Sequence, residues 1–325
     1  MSRIVSIGPA CQEIYLIDRE DFEGLETEGG QSIFGKMIIG THVDIDKTFF
    51  GVGGSGANAA VTFARCNHET IFIGNLAHDA AGESVLECFD KENIDSSYAS
   101  IVRAATGCSV ILLDAKSGER TTLSFRGASA KSDNLSAADL DTIQPDWIYV
   151  GTLQGNMEKL LEFFEKAHAL GAKVMFNPGP AELKHPQKLI GLLEDVDVLI
   201  VNKEEAAQIV PGVLLTELLA HLSNYCETVI ITDGSMGAIA TNHQDTYRLG
   251  VYEQARVRDA TGVGDAFGSG FLAEFARSGD FEKSLRFASA NASKVAQSYG
   301  AETGILTGEE DFHLMPFQKV EDLAG

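Results

Sequence analysis

The sequence predicts a three-layer α/β/α core with a mainly parallel sheet, carrying a small separate β-sheet placed as a lid. Three observations predict it. Short apolar runs alternate with longer stretches of helical period through the second half of the chain. Two segments, about 14–50 and 101–126, are strand-like and Gly-punctuated, with no helical pattern of their own. Polar and Gly-rich strings follow the apolar runs repeatedly, at the places where strands should end and helices begin.

Trp147–Val150, Lys173–Phe176, 196–201 and Thr228–Thr232 read as buried strands, with helical stretches at 157–170 and 214–226 between them. Strand–helix–strand alternation at this spacing makes a parallel sheet covered on both faces. Right-handed crossovers then put the C-terminal end of every strand on one edge, where ligands bind in such sheets. The opening stretch 3–7 reads as a further strand ending at Gly8. Within 101–126 a hairpin is predicted: 108–113, a turn at 114–118, then 121–125. The expected organisation is one domain over 1–325, with 14–50 and 101–126 inserted as lid segments that could close over a site.

Composition narrows the partners. At 325 residues and 44% hydrophobic, the chain can bury a large core. Its net charge of −22 repels phosphate backbones and anionic lipid, so neither nucleic acid nor membrane is expected. A small anionic ligand could bind only where helix N-termini or a divalent metal overcome that field locally. The five cysteines are scattered and form no CxxC, which fits a reducing, cytoplasmic compartment and excludes a zinc cage. The eight histidines form no metal-binding pattern. No apolar run approaches the ~18 residues of a membrane span, and the first residues read as a strand rather than a leader.

The chemistry concentrates in four strings. Asp259-Ala260-Thr261-Gly262-Val263-Gly264-Asp265 runs into an apolar helix. Gly262 and Gly264 would let the backbone approach a ligand and offer N–H groups at its start, an anion hole suited to a phosphoryl group in flight. Asp265 then falls in the first turn, either as a structural cap or as a base accepting the proton of an attacking hydroxyl. Gly53-Gly54-Ser55-Gly56-Ala57-Asn58 also enters a helix; its small residues would let the backbone lie against a ligand, and Asn58 can bind hydroxyls. The competing reading is a turn with Asn58 capping locally. Asn202-Lys203-Glu204-Glu205 follows a strand, and is either a helix start with acidic first-turn residues or a group that organises Mg²⁺ through water. Thr232-Asp233-Gly234-Ser235-Met236-Gly237 is a tight turn, or a turn with room for a nucleotide. The first strand ends in Gly8-Pro9-Ala10-Cys11-Gln12, which lacks the GxGxxG of a nicotinamide dehydrogenase.

Taken in order, these strings resemble the ribokinase, or PfkB, family of carbohydrate and nucleoside kinases, over nearly the whole chain. The resemblance implies a ribokinase-like fold and an ATP- and Mg²⁺-dependent kinase acting on a hydroxyl of a small sugar or nucleoside. It makes Asp265 the catalytic base and Gly262, Val263 and Gly264 the anion hole. Asn202 and Glu205 match the Mg²⁺-organising Asn-x-x-Glu motif. Asn202, Thr232, Asp233, Gly234, Ser235 and Gly237, with Gly262 and Gly264, match the nucleotide-binding positions. Glu13, Gly53, Gly54, Ser55, Asn58 and Asp265 match the acceptor site. Asp259 matches a position that helps bind a monovalent cation such as K⁺ in several members, and the lid suggests a homodimer.

The acceptor site departs from the family pattern. Ribokinases carry an Asp where Glu13 stands and a Lys where Ser55 stands, and offer a Glu in the loop where this chain has Leu153-Gln154-Gly155. The pocket keeps an acid and loses a cation, which ranks neutral sugars and nucleosides above sugar acids. Arg103 and Arg126, on the lid segment, are the candidates for restoring a positive charge.

Overall fold

The computed structural model describes residues 1–18, 27–28, 31–32, 45, 47–114, 120–252, 257–308 and 315–320. The main sheet runs, edge to edge, Phe317–Lys319, Thr246–Leu249, Ala238–Thr241, Thr228–Thr232, Val198–Asn202, Lys173–Phe176, Trp147–Val150, Arg3–Ile7 and Glu69–Ile73. From Thr228–Thr232 to Glu69–Ile73 every pairing is parallel. The pairings toward the other edge are antiparallel.

Residues such as Ile4–Ile7 and Trp147–Val150 are buried along their whole length because the sheet is covered on both faces. Alternation divides each strand between two cores. Ile148, Val150 and Phe176 pack with Phe163 and Phe164 of the helix Met157–Ala169 on one side. Tyr149, Met175 and Ile200 pack on the other with Phe63 of Ser55–Arg65, Phe271 of Val263–Ser278 and Leu285 of Phe281–Ala296. These are the predicted three layers. The strand expected at 196–201 lies at Val198–Asn202, since 193–195 form a short 3₁₀ turn. The helix expected over 214–226 is Leu215–Leu222.

The lid is a second sheet in the order Arg120–Phe125, Gly107–Asp114, Cys11–Asp18, Lys47–Gly53. The hairpin pairs Cys108 with Phe125 through Leu113 with Arg120, as predicted. Its turn at 115–118, and most of 19–46, lie outside the described residues. The lid strands extend past the expected limits of 14 and 50, to Cys11 and Gly53. The central pairing, Cys11–Asp18 parallel to Gly107–Asp114, joins segments far apart in sequence. Glu13, Tyr15, Ile17, Ile111 and Leu113 are buried, and Tyr299 of the core packs against this apolar group. Ile14, Val110, Leu123 and Phe50 alternate with them and form a row on the opposite face, where Leu123 and Phe50 are each 59% exposed. No described helix is long and apolar enough to cross a membrane.

Candidate active site

The helix Val263–Ser278 begins at Gly262, whose φ of 71° a residue with a side chain would rarely adopt. A Cβ there would also lie 2.5 Å from the Cβ of Ala301. No side chain caps this terminus. The first-turn N–H groups of Val263, Gly264 and Asp265 therefore have no intrahelical acceptor, while Ala266 bonds back to the Gly262 carbonyl at 2.8 Å. Gly264 is exposed, with open space where a side chain would stand. An uncapped, accessible helix start of this kind favours an anion.

Asp265 is not the cap. Its carboxylate accepts a hydrogen bond from Asn58 Nδ2 at 2.8 Å. Burial pushes its pKa above the ordinary value, and the Asn58 donor opposes that rise. Asn58 does not cap locally either. It is 4% exposed, and because its amide group donates to Asp265, its carbonyl Oδ1 is left buried with no partner. The Ser55 hydroxyl is likewise buried without one. Unmet polar atoms in a folded interior are rare, and these two stand in the first turn of the helix that meets Asp265.

The glycines before Asn58 are closely hemmed in by the protein itself. A Cβ on Gly53 would fall 2.2 Å from the Glu13 carboxyl carbon, and one on Gly54 would fall 2.5 Å from the Pro9 carbonyl oxygen. The protein's own packing therefore admits no side chain at either position. Glu13 itself is 6% exposed and accepts the Tyr15 hydroxyl at 2.6 Å. Burial pushes its pKa to about 7, with Asp259 and Asp265 adding to the rise and Tyr15 and Arg120 opposing it.

Asn202 and Glu205 form a reciprocal capping box: Asn202 Oδ1 accepts the Glu205 N–H and Glu205 Oε2 accepts the Asn202 N–H, each at 2.8 Å. The structural alternative for this string is thus real. It still leaves Glu205 Oε1 uncommitted, and burial followed by the Asp265 charge raises the Glu205 pKa. A carboxylate oxygen held at the sheet edge near Asp265 suits a water of a Mg²⁺ ion, whereas no cluster of three His, Cys, Asp or Glu able to cage a metal exists among the described residues. Thr232 ends its strand beside this box, paired with Ala238 across the turn, and Asp233 donates its N–H to the Gly237 carbonyl at 2.8 Å. Gly234 and Ser235 are exposed, and Lys203 Nζ stands 3.5 Å from Asp233.

Asp259 is 1% exposed. Its Oδ1 takes the Thr261 N–H at 2.9 Å and hydroxyl at 2.6 Å, and its Oδ2 takes the Gly300 N–H at 3.1 Å. These bonds tie the loop before the anion hole to the 300–302 segment. Arg65 braces that segment from behind, donating to the Glu302 carbonyl at 2.7 Å while paired with Glu92. The Glu302 carboxyl, pushed by burial to about 8, lies against the Cys88 thiol.

Sequence reading missed Glu182. It is fully buried and accepts from the Thr152 hydroxyl and the N–H groups of Leu153, Gly155 and Gly179, at 2.7–3.0 Å. One carboxylate thus shapes the loop where ribokinases offer their Glu, and nothing in the local sequence signals it. Tyr15 was also missed, although its spacing of two from Glu13 puts both on one strand face. Arg126 reaches that same loop, donating to Gln154 Oε1 at 2.8 Å; Arg103 is exposed.

The family described as pfkB family carbohydrate kinase matches residues 39–307. Ribokinase from Staphylococcus aureus is 29% identical over 281 residues, covering 83% of this chain and 89% of that protein. Among solved structures, Arabidopsis thaliana ribokinase complexed with ribose and ATP superposes with a TM-score of 0.76 at 22% identity, covering 95% and 96% of the two chains. Adenosine kinase from Sinorhizobium meliloti superposes with a TM-score of 0.77 at 18% identity, covering 94% and 97%.

Proposed function

The chain belongs to the pfkB family of carbohydrate kinases and is a phosphotransferase with an alcohol acceptor; we propose that it moves the terminal phosphoryl group of ATP to a primary hydroxymethyl of a small neutral sugar such as ribose or fructose. The observation that carries this reading is the Asn58–Asp265 pair beside the uncapped N-terminus of Val263–Ser278.

Asp265 accepts the proton of the attacking hydroxyl, its burial having raised its affinity for that proton. The Val263, Gly264 and Asp265 N–H groups face the charge that develops on the phosphoryl oxygens. Asn58 Oδ1 and Ser55 Oγ, both unmet, receive and give hydrogen bonds to acceptor hydroxyls. Glu13 closes the other wall. Thr232, Asp233, Gly234, Ser235 and Gly237 line the nucleotide side. Asn202 and Glu205 would hold Mg²⁺ through water, and the bound metal would supply charge neutralisation at the phosphates. A K⁺ ion beside Asp259 belongs to the same reading, but that carboxylate is already met by three donors. Its test is activation by K⁺ over Na⁺.

Sugar acids fit poorly. Glu13 would face the acid, Ser55 brings no charge, Arg126 is engaged by Gln154, and Arg120 already acts on Glu13. A nucleoside is the second reading: Ser55 is shorter than the lysine of ribokinases, which leaves room on that wall for more than a free pentose. ATP consumption over a panel of pentoses, hexoses, nucleosides and sugar acids tests both. Turnover with neutral sugars supports the first reading, and turnover with nucleosides alone supports the second. Turnover with sugar acids alone overturns both. We further propose that two copies meet through the outward lid face bearing Phe50, Ile14, Val110 and Leu123.

A further inference from the structure

We infer that Tyr15 is a positioning residue for the acceptor: its hydroxyl fixes the Glu13 carboxylate so that the other oxygen is presented to the acceptor's hydroxyls. The inference rests on the reading that Glu13 lines the acceptor pocket.

Glu13 and Tyr15 are two residues apart on the strand Cys11–Asp18, so both side chains leave the same lid face. Tyr15 donates to Glu13 Oε2 at 2.6 Å, the length of a charge-assisted bond. The carboxyl group is also pressed against the Gly53 backbone, where any side chain would displace it. A glutamate has one more rotatable bond than the aspartate of ribokinases, and these two contacts remove that freedom. With Oε2 committed, Oε1 remains for the acceptor.

The tyrosine is itself immobilised. Its ring is fully buried, packs with Ile17, Ile111, Leu113 and Tyr299, and lies 5.6 Å from the Phe49 ring centroid. Its oxygen also faces the Thr261 hydroxyl, on the loop leading to the anion hole. Tyr15 therefore stands between the lid and that loop.

Charge gives the hydroxyl a second task. Glu302 and the Cys11 thiol lie near Glu13, which raises the pKa of both, while Arg120 and the acids Asp259 and Asp265 act on Glu13 itself. Burial and these acids favour the protonated carboxyl, while donation from Tyr15 favours the carboxylate. As a carboxylate, Glu13 accepts Tyr15 at Oε2 and acceptor hydroxyls at Oε1; a protonated acid gives up part of that capacity. Removing the Tyr15 hydroxyl raises the Glu13 pKa, so acceptor binding is lost at a higher pH as the solution is acidified.

The test is Tyr15→Phe, Glu13→Gln and the double variant, assayed with the acceptor that the panel identifies. Tyr15→Phe keeps the ring and its packing. It should raise acceptor KM about tenfold, leave ATP KM unchanged, and move the acid limb of kcat/KM for the acceptor to higher pH. Glu13→Gln should raise acceptor KM and abolish that limb. In the double variant the tyrosine change should move no acid limb, because no titrating carboxyl is left at position 13. If Glu13→Gln leaves acceptor KM unchanged, the placement of Glu13 falls and this inference with it. If Glu13→Gln acts but Tyr15→Phe changes neither KM nor limb, Tyr15 is only packing. An acid limb that still moves with the tyrosine change in the double variant, or an equal rise in ATP KM, also overturns the inference.

Discussion

Asn58 and Asp265 are 207 positions apart in the chain and meet at 2.8 Å. The contact is not isolated: one turn further along, Ser269 donates to Thr62 at 2.9 Å between the same two helices. Ser55–Arg65 and Val263–Ser278 are thus registered against each other by two polar contacts. That register puts the proposed base beside an uncapped helix start and leaves Asn58 Oδ1 free for a ligand.

Asp265→Asn should lower kcat by roughly 10²–10⁴, the usual worth of a general base. ATP and acceptor KM should hold within a few-fold. The fold should not suffer. Burial raises the Asp265 pKa, so the native state holds that proton more tightly than the unfolded chain. The stability from this group is present at low pH and lost as pH rises through the raised value. The variant lacks that loss, and its melting temperature at pH 8 should equal or exceed wild type. Near-wild-type turnover would remove Asp265 from the chemistry.

Glu205→Gln separates metal from fold. A glutamine side chain can still accept the Asn202 N–H, so the capping box survives. The Mg²⁺ concentration for half-maximal rate should rise several-fold, with acceptor KM unchanged. A change in acceptor KM that added Mg²⁺ does not recover would assign Glu205 to the acceptor side.

Glu182→Gln replaces one acceptor oxygen by a donor group facing N–H groups of Leu153, Gly155 and Gly179 and the Thr152 hydroxyl. Leaving buried donors unmet should cost about 3 kcal/mol, read from urea unfolding. Acceptor KM should rise with it, since Gln154 sits on this loop. A loss under about 1 kcal/mol would show that the loop holds its shape without the carboxylate.

The outward lid face carries Leu123 and Phe50, each 59% exposed, with Phe125 at 58%. Exposed large apolar side chains in one row mark a contact surface. Light scattering should find a dimer for the wild type and a monomer for Leu123→Glu. A monomeric wild type at micromolar concentration would refute the lid interface.

Local pattern alone determined the layered core, because buried parallel strands and covering helices write their periods directly into the chain. Trp147–Val150, Lys173–Phe176 and Thr228–Thr232 appear at their predicted bounds for that reason. The strings around Asn58, Asn202 and Asp265 were legible too, since a helix start at a strand end has a short-range signature. Tertiary structure decided everything that depends on two distant segments meeting. It alone made Asp265 a partner of Asn58 rather than a cap, and made Gly53 the seat of the Glu13 carboxyl. It alone brought Glu182 to the loop 152–155 across nearly thirty residues. Side-chain hydrogen bonds of this kind carry no period and no spacing. They depend on which strand ends the sheet places side by side, and that order is set by the packing of the whole core.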